Sequence, residues 1–483
     1  SSSRPTDLLA GIPFNVHNAS FALEWIPSNP ATPSPGGTQF SNITCGAPAD
    51  HARGFSALYP NGPTGGLRRL EAKRTELLNQ LHHAHGALIQ AVATYYVSAR
   101  QANKTVYHIP ARNQHIAELR WRVFETTQNL HKTTWACTMR RASVFSQAMG
   151  IALSSYLTSL SDQTRIAQGW ADLWVRHGYL LAFDGLLSAA GKELGMIEDA
   201  SVGIAMLKNV SVVLVSSEDV ATAGSGEKVM VPNSPYLKWL SLAASGVGSQ
   251  TRYRLVVALD PVFYGQRIPE PLKNGAMVDF YPLLYQVGVD IRQWGAHTQM
   301  NVKNQLSMRQ EIEATLGGTT THSSSSEFGG AGLLEEDDDE SGAADTDVLV
   351  ALNYEALRKM NAYAHAISPL AAADGAATAA SNTANSVHPI LTNLHSHIMS
   401  SSGKIQYGIV DEAASVANKL GGGGVVFCKS GKDRTAMHVT YKQAQHMHRY
   451  RAGNAVTAGQ VYDDATRLRV YGTRLPICEK NVG

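Results

Sequence analysis

Hydrophobic residues in the first half of the chain recur at the spacing of an α-helix. One apolar stripe contains Leu70, Leu77, Leu81, Leu88 and Val92. The same period continues through Ile116, Leu119, Val123 and Phe124, and further helices are predicted over residues 143–160 and 170–194. Residues 67–200 are therefore predicted to form an N-terminal α-helical region, arranged as a bundle or an array of helical hairpins.

From about residue 209 the period changes to the alternation that is typical of strands. Strands punctuated by glycine and proline are predicted over residues 210–214, 253–257 and 276–285. The C-terminal part predicts a helix, a strand and a second helix over residues 411–420, 425–427 and 434–450. We therefore predict an α/β domain with a central sheet, in addition to the N-terminal helical region.

Other stretches lack both periods and are rich in residues that favour loops. Residues 1–66 contain many Pro, Gly, Ser and Asn residues, and they predict an extended segment with little regular structure. Residues 317–347 combine Ser and Thr runs with an acidic run and predict a disordered insertion. Residues 371–386 predict a linker, and a helix over residues 353–367 lies between these two stretches.

The length of 483 residues exceeds what a single compact core accommodates, so we predict several regions. Their boundaries are residues 1–66, 67–200, 201–316, 317–347 and 348–483. The strand-rich third region is expected to be part of the last, α/β region or to pack on it.

Charge and cysteine content restrict the function only weakly. The chain has 41 Lys and Arg against 39 Asp and Glu, and a total near zero can hide a local basic pocket. We predict no nucleic-acid partner. No apolar run is long enough to span a bilayer and no signal peptide is evident, although the missing initial Met suggests a fragment of a longer protein. The four cysteines are scattered without CxxC spacing, which argues against a disulfide framework or zinc site and favours a reducing compartment.

One cysteine, Cys428, is followed six positions later by an arginine, Arg434. This spacing is a weak signal alone. Its context strengthens it, because four glycines and a short apolar strand over residues 425–427 precede the cysteine, and a predicted helix follows the arginine. A strand, a tight loop and a helix N-terminus form a geometry that binds phosphate. Residues 428–435 are called the Cys428 loop below.

Each residue type in the Cys428 loop suits phosphate-ester cleavage through a thiolate. Cys428 is the predicted nucleophile, and lowering a thiol pKa of ~8.5 by about three units requires roughly 4 kcal/mol of thiolate stabilisation. Arg434 supplies a planar fork that grips two phosphate oxygens, and Gly431 permits the tight curvature. The amides of the loop, including that of Ser430, are predicted to point at the phosphate. Thr435 is predicted to donate its hydroxyl to the sulfur and ease departure of Cys428. The predicted α/β domain is therefore cysteine-phosphatase-like, with residues 348–483 as its catalytic region.

The reaction also needs a proton for the leaving oxygen. Asp433 inside the loop is the first candidate for general acid, and Asp411 is the second, so two possibilities stay open. Lys429 and Lys432 make the loop doubly basic, which favours a head group carrying several phosphates over a single phosphotyrosine. His438 either braces the site or is a packed helix residue, and we favour the packed residue. The chemistry requires no metal or other cofactor, and no metal site is predicted.

The sequence Cys428-Lys429-Ser430-Gly431-Lys432-Asp433-Arg434-Thr435 resembles the loop of the inositol polyphosphate 4-phosphatases, types I and II, and of related bacterial effector phosphoinositide phosphatases. Residues 201–210, 277–290, 353–360, 436–440 and 480–483 look similar to the same family. The resemblance implies removal of the 4-phosphate from phosphatidylinositol 3,4-bisphosphate without metal. It implies a cytoplasmic protein, peripheral at membranes, with Cys428 as nucleophile, Arg434 as phosphate clamp, and Lys429 and Lys432 as head-group contacts.

Three other functions stay open. A protein tyrosine or dual-specificity phosphatase shares the loop chemistry, but that class usually has His before the nucleophile, where this chain has Phe427. A catalytically inactive phosphoinositide-binding module is the second. The third is a scaffold whose helical region binds partners, and it would be favoured if Cys428 proved buried and unreactive.

Overall fold

We describe the fold from a computed structural model of the chain. The described residues are 9, 15–23, 38–49, 66–101, 110–162, 166–188, 192–219, 227–231, 234–246, 251–287, 344–367, 387–400, 408–452 and 458–471. The strands are β1 (His17–Leu23), β2 (Thr38–Gly46), β3 (Tyr179–Gly185), β4 (Val210–Ser216), β5 (Lys228–Met230), β6 (Leu237–Ser245), β7 (Arg252–Leu259), β8 (Met277–Gln286) and β9 (Gly423–Cys428).

The helices begin with two long ones and end with the pair that follows the Cys428 loop. They are α1 (Leu67–Gln101), α2 (Pro110–Ser161), α3 (Trp170–His177), α4 (Lys192–Met206), α5 (Pro261–Arg267), α6 (Ala344–Ile367), α7 (Thr392–Met399), α8 (Gly408–Lys419), α9 (Asp433–Ala452) and α10 (Ala458–Tyr471). No helix in the described ranges is both long and apolar enough to cross a bilayer.

The chain divides into two compact units. The first, here called the Cys428 unit, comprises Phe14–Ala47, Leu153–Glu193 and Val278–Gly483. The second, here called the Arg140 unit, comprises Ser1–Pro13, Pro48–Ala152 and Leu194–Met277. Both units combine strands with helices, so the predicted α/β fold with additional N-terminal helices is confirmed at this level.

The sheet of the Cys428 unit has the strand order β1-β2-β9-β3-β8. β2, β9, β3 and β8 run parallel, and β1 is antiparallel to β2. All seven residues of β3 are buried, as expected for a parallel strand covered on both faces. On one face the side chains of β3, β8 and β9 pack against α6, α7 and α8 in one apolar core. The Asn353 side chain of α6 bonds both backbone groups of Gln286, at 2.8 and 2.9 Å, and so fixes the end of β8.

The Arg140 unit contains a smaller mixed sheet. β4 is parallel to β7, and β7, β6 and β5 pair antiparallel in that order. Helix α5 is capped by Asp260, which accepts from the amides of Val262 and Phe263. A buried ion pair joins Arg140 of α2 to Asp199 of α4, and Asp199 also accepts from the amide of Leu67 at 2.8 Å. The start of α1 is thereby attached to the other two helices.

Most of the predicted elements are present, but the helix predicted over residues 170–194 is wrong. The helix α3 ends at His177, Gly178 follows with a φ of 84°, and the chain then enters β3. Because every β3 residue is buried, its apolar run lacks the alternation that reveals a half-exposed strand. The irregular segment predicted over residues 1–66 is also wrong in part, since it contains β1 and β2.

The strands predicted near residues 210, 253 and 276 and the C-terminal helix–strand–helix are confirmed as β4, β7, β8, α8, β9 and α9. Of the predicted insertion over residues 317–347, residues 317–343 lie outside the described residues, and α6 begins at Ala344. The predicted linker over residues 371–386 and the C-terminal stretch 480–483 lie outside them as well.

Candidate active site

The Cys428 loop joins β9 to α9. The strand ends at Cys428, a turn follows over residues 429–432, and α9 begins at Asp433. Because β9 lies between β2 and β3 and runs parallel to both, the carboxyl ends of all three strands meet at one edge of the sheet. Open α/β sheets place their ligands at this edge, and here the turn leads directly into a helix N-terminus.

The backbone of the turn is held from the side of β2. Gly431 has a φ of 69°, and a Cβ atom on it would lie 2.3 Å from the carbonyl carbon of Cys45. A residue other than glycine would therefore be strained and would clash there. The amide of Ala47 donates to the Cys428 carbonyl at 2.8 Å, and the Asn15 side chain donates to the Ser430 carbonyl at 2.7 Å.

The predicted nucleophile is buried, with 2% of Cys428 exposed, and belongs to the apolar core beneath α6 to α8. A second buried cysteine, Cys45, lies beside it on β2, where it pairs with Phe427. Burial raises the pKa of the Cys45 thiol, and the nearby Cys428 raises it further. Nothing in the sequence spacing indicates that Cys45 is close to Cys428, because the pairing is between strands far apart in the chain.

The predicted phosphate clamp, Arg434, lies in the first turn of α9 and is buried. Its Nη1 and Nη2 donate to the two carboxylate oxygens of Glu193 at 2.7 and 2.5 Å. Nη1 also donates to the carbonyl of Leu186, just beyond β3, at 2.6 Å. The amide of Ser188 donates to Glu193 Oε2 at 2.7 Å, so both partners are held in place by backbone.

Glu193 lies in the first turn of α4 and is buried. Burial opposes its ionisation, but hydrogen bonds from Arg434 and from the Ser188 amide outweigh burial and hold the Glu193 pKa below its usual range. The pair is therefore charged at neutral pH. Glu193 was not predicted from the sequence. Residues 170–194 were predicted as a helix, so neither β3 nor its pairing with β9 was expected.

The remaining predicted loop residues differ in their exposure. Lys429 and Asp433 are exposed, whereas Lys432 is half-buried. The Thr435 side chain is buried, and its hydroxyl donates to the Lys432 carbonyl at 3.2 Å. Asp433 occupies the first position of α9, where a carboxylate suits the helix dipole.

The second candidate for general acid, Asp411, lies in the first turn of α8 and faces α9. The Lys442 ammonium lies 3.0 Å from Asp411 Oδ1 and donates to the Asp411 carbonyl at 2.6 Å. His438 Nδ1 is 4.0 Å from the same carboxylate. Burial lowers the pKa of His438 to about 4, so the imidazole is neutral at pH 7. His438 thus packs on α9 against Asp411, and whether it also braces the site stays a prediction.

A further carboxyl group, Asp184 of β3, shares a sheet face with Cys428 according to strand alternation. It is fully buried, and neither of its carboxylate oxygens has a hydrogen-bond partner among the described residues. Burial raises the Asp184 pKa well above its usual range, Lys442 lowers it and Asp411 raises it further. In the sequence, Asp184 is marked only as an acidic residue that follows an apolar run.

The fold and the loop define an α/β protein with a strand–turn–helix motif at the carboxyl edge of parallel strands. The family model described as INPP4A C-terminal domain matches residues 123–316 and 340–481, and the chain belongs to this family. The predicted family resemblance is therefore confirmed.

Two curated relatives are similar to this chain. One is the type II inositol 3,4-bisphosphate 4-phosphatase of Rattus norvegicus, 26% identical over 313 residues, which are 63% of this chain and 26% of the relative. The other is the inositol polyphosphate 4-phosphatase type II of Homo sapiens, 26% identical over 310 residues with the same coverage. The chain thus spans about a quarter of the length of these relatives, 26% in each case.

Proposed function

We propose that this chain is a phosphoinositide phosphatase that removes the 4-phosphate of phosphatidylinositol 3,4-bisphosphate. The observation that supports this most is the position of Arg434, which is buried and held at the start of α9 directly after the Cys428 turn. A guanidinium in that position suits recognition of a phosphoryl group. The two relatives are an inositol 3,4-bisphosphate 4-phosphatase and an inositol polyphosphate 4-phosphatase, and their similarity to this chain supports the same reaction.

The proposed mechanism has two steps. The Cys428 thiolate attacks phosphorus in line, the bond from phosphorus to the ring oxygen breaks, and the leaving oxygen takes a proton. Water then attacks the cysteinyl-phosphate and releases inorganic phosphate and the thiolate. The amides of the turn and the N-terminus of α9 stabilise the phosphoryl charge, and Arg434 grips two of its oxygens. Thr435 eases departure of the sulfur in the second step.

Asp433 stays the first candidate for general acid. It is exposed at the start of α9, within the Cys428 loop, whereas the carboxylate of Asp411 lies 3.0 Å from Lys442. Lys429 and Lys432 are proposed to contact the further phosphates of the head group. The proposal needs no metal, and it places the chain at the cytoplasmic face of a membrane as a peripheral protein.

The burial of Cys428 keeps the scaffold hypothesis open, since that hypothesis requires the cysteine to be both buried and unreactive. Burial of Cys428 alone does not decide between a scaffold and an enzyme, because a thiolate held by loop amides and a helix start reacts when a phosphate reaches it. The rate of iodoacetamide alkylation at Cys428 therefore separates the scaffold from an enzyme. An inactive binding module would bind head groups without releasing phosphate.

The deciding experiment is phosphate release from a panel of phosphoinositide isomers, with Cys428→Ser beside the wild type. We expect release from phosphatidylinositol 3,4-bisphosphate, loss of all release in Cys428→Ser, and head-group binding that survives in this variant. Cys137→Ser is the matched control, because Cys137 is a buried cysteine of the Arg140 unit. Release by Cys428→Ser would eliminate the cysteinyl-phosphate, and a preference for phosphotyrosine peptides would favour the protein phosphatase.

A further inference from the structure

We propose that the exposed side of the α1–α2 helix pair is a surface that docks this chain on an anionic lipid bilayer. The inference rests on the proposed function, because a lipid substrate lies in a bilayer, and it adds the surface that meets the lipid. It concerns residues 77–101 of α1 and 110–131 of α2, which belong to the Arg140 unit. This part of the two helices is called the α1–α2 arm below.

The arm extends away from the contacts that join the two helices. Glu71 of α1 forms an ion pair with Arg141 of α2, and Leu70 packs with Cys137. Each helix continues for about 45 Å beyond these contacts. Residues 102–109 alone connect the far ends of the two helices, and a chain of that length spans at most about 30 Å. The two helices therefore run antiparallel, with the arm at the end away from these contacts.

Large apolar side chains stay exposed along the arm. On α1 they recur at intervals close to whole numbers of helical turns, so they share a stripe that differs from that of the buried Leu77 and Ala84. On α2 two aromatic rings lie one turn apart, with their centroids separated by 5.6 Å. Several such residues on one pair of helices indicate an interaction surface. Between 49% and 70% of each is exposed, and they are Leu78, Ile89, Tyr96, Trp121 and Phe124.

The charge of the arm indicates the chemistry of its partner. Residues 77–117 contain no Asp or Glu, and the nearest acidic residues on either side are Glu76 and Glu118. Arg or Lys occurs three times within the same residues, and Arg100 at the end of α1 is exposed. This acid-free stretch makes the arm positively charged. The exposed charges beside Trp121 balance one another, and they are Glu118, Arg120, Arg122 and Glu125.

An anionic lipid surface matches both properties of the arm. Trp and Tyr rings favour the boundary between lipid head groups and acyl chains, and nearby cations are attracted to anionic head groups. A second copy of this chain fits less well, because it would bring two positively charged acid-free stretches together. A nucleic acid would attract the cations, but Leu78 and Ile89 have no flat ring on which a base could stack.

The test measures sedimentation of the full chain with vesicles of phosphatidylcholine, with and without phosphatidylserine. These vesicles contain no phosphoinositide, so substrate binding at the Cys428 loop does not contribute. We expect the wild type to bind the phosphatidylserine vesicles. Trp121→Ala combined with Phe124→Ala should bind them at least about tenfold more weakly, since two aromatic anchors are lost. Arg100→Ala should bind about fivefold more weakly, the contribution of one cation near an anionic surface.

Matched controls lie elsewhere in the Arg140 unit. Met230→Ala combined with Val262→Ala removes two other exposed apolar side chains, and Lys208→Ala removes another exposed cation. Both controls should keep vesicle binding within about twofold of the wild type, because they lie outside the arm. All of these variants should match the wild type in phosphate release from a soluble short-chain phosphatidylinositol 3,4-bisphosphate, since that substrate needs no bilayer.

A site-specific readout is quenching of tryptophan fluorescence by brominated phosphatidylcholine in the phosphatidylserine vesicles. Quenching should be weaker in Trp121→Phe than in the wild type, because Trp121 is expected to lie among the lipids. Equal quenching in Trp121→Phe overturns the inference. So does wild-type vesicle binding by the combined Trp121 and Phe124 variant. If that variant does not fold, Ile89→Ser decides by the same vesicle criterion.

The remaining outcomes separate this inference from the proposed function. A loss in the Met230 and Val262 control equal to that in the arm variant overturns the docking surface. A wild type that binds no vesicles but dimerises in sedimentation velocity favours a second copy and overturns it too. Phosphate release from the soluble substrate leaves the proposed function intact in each of these cases. A wild type that binds the vesicles through the arm but releases no phosphate overturns the proposed function and supports the docking surface.

Discussion

The two buried arginine–carboxylate pairs, one in each unit, use different edges of the guanidinium. Arg140 presents its side edge, with Nε 3.0 Å and Nη2 2.8 Å from Asp199 Oδ2. Arg434 presents its end edge, with Nη1 and Nη2 at 2.7 and 2.5 Å from Glu193. Asp199 occupies the side edge of the Arg140 guanidinium, and the pair therefore ties α2 to α4. Two arginine–carboxylate pairs in one chain thus differ in geometry, and under the proposed function only the Arg434 pair belongs to the phosphate site.

The surroundings of the two pairs support the same distinction. The Arg140 pair joins three helices, since Asp199 also accepts from the Leu67 amide at the start of α1. The Arg434 pair adjoins a turn with a glycine at a φ of 69° and two lysines, Lys429 and Lys432. Both pairs are buried, so breaking either should cost about 3–5 kcal/mol of stability. Activity, not stability, is therefore the property that separates them.

The largest expected effect on phosphate release comes from replacing Arg434 with lysine. The matched change in the other pair is Arg140→Lys. Arg434→Lys keeps the charge but loses the planar fork, so phosphate release should fall by about 10²–10³-fold. Arg140→Lys should lower the free energy of unfolding in urea and leave release per folded molecule within about twofold. Both are checked with one phosphate-release assay and one urea titration.

Two outcomes would break the comparison. Full activity in Arg434→Lys would show that no bidentate grip is needed, and the end-on pairing would then be only structural. A comparable loss in Arg140→Lys, after correction for the folded fraction, would show that the Arg140 pair also supports the site.

The Cys428 loop was predictable because its signals are local. A glycine run, an apolar strand, a Cys and Arg at fixed spacing and a following helix all lie within one short segment. Its partners were not predictable, because a parallel sheet joins strands that are distant in the chain. Cys45 precedes Cys428 by most of the sequence, and Glu193 belongs to a segment whose strand, β3, has no alternating pattern. The local motif was sufficient to single out Cys428 and Arg434 as candidates, but not to find the groups that contact them.

Asp184 is a third buried carboxyl group, and its hydrogen bonding can be compared with that of Glu193 and Asp199. Those two are paired with arginines, whereas neither Asp184 oxygen has a hydrogen-bond partner among the described residues. Burial raises the pKa of Asp184. A raised folded-state pKa contributes stability below the unfolded value of ~3.9, and this contribution is lost as pH rises through the folded value.

We therefore expect Asp184→Asn to leave stability nearly unchanged near pH 4 and to stabilise the protein at pH 7–8, because the variant no longer has to take up a proton on folding; the gain should grow by about 1.4 kcal/mol for each pH unit above ~3.9 until the folded-state pKa is reached. Urea titrations of the wild type and the variant across this pH range are the measurement. A variant that is less stable than the wild type at neutral pH would show an ionised Asp184 attracted to Lys442, and the carboxyl would then belong with the paired ones.

The smallest expected effect on activity comes from removing one lysine charge from the Cys428 loop, and it is compared with removal of a lysine charge elsewhere on the chain. Lys432 is half-buried in the turn, and Lys208, in the Arg140 unit, is exposed. If Lys432 contacts a second phosphate, Lys432→Ala should lower kcat/KM on phosphatidylinositol 3,4-bisphosphate about tenfold, a size typical of one charge-assisted contact. The loss on p-nitrophenyl phosphate should stay below about threefold, since that substrate carries one phosphate. Lys208→Ala should change neither value, and equal losses on both substrates in Lys432→Ala would remove the argument for a polyphosphate pocket.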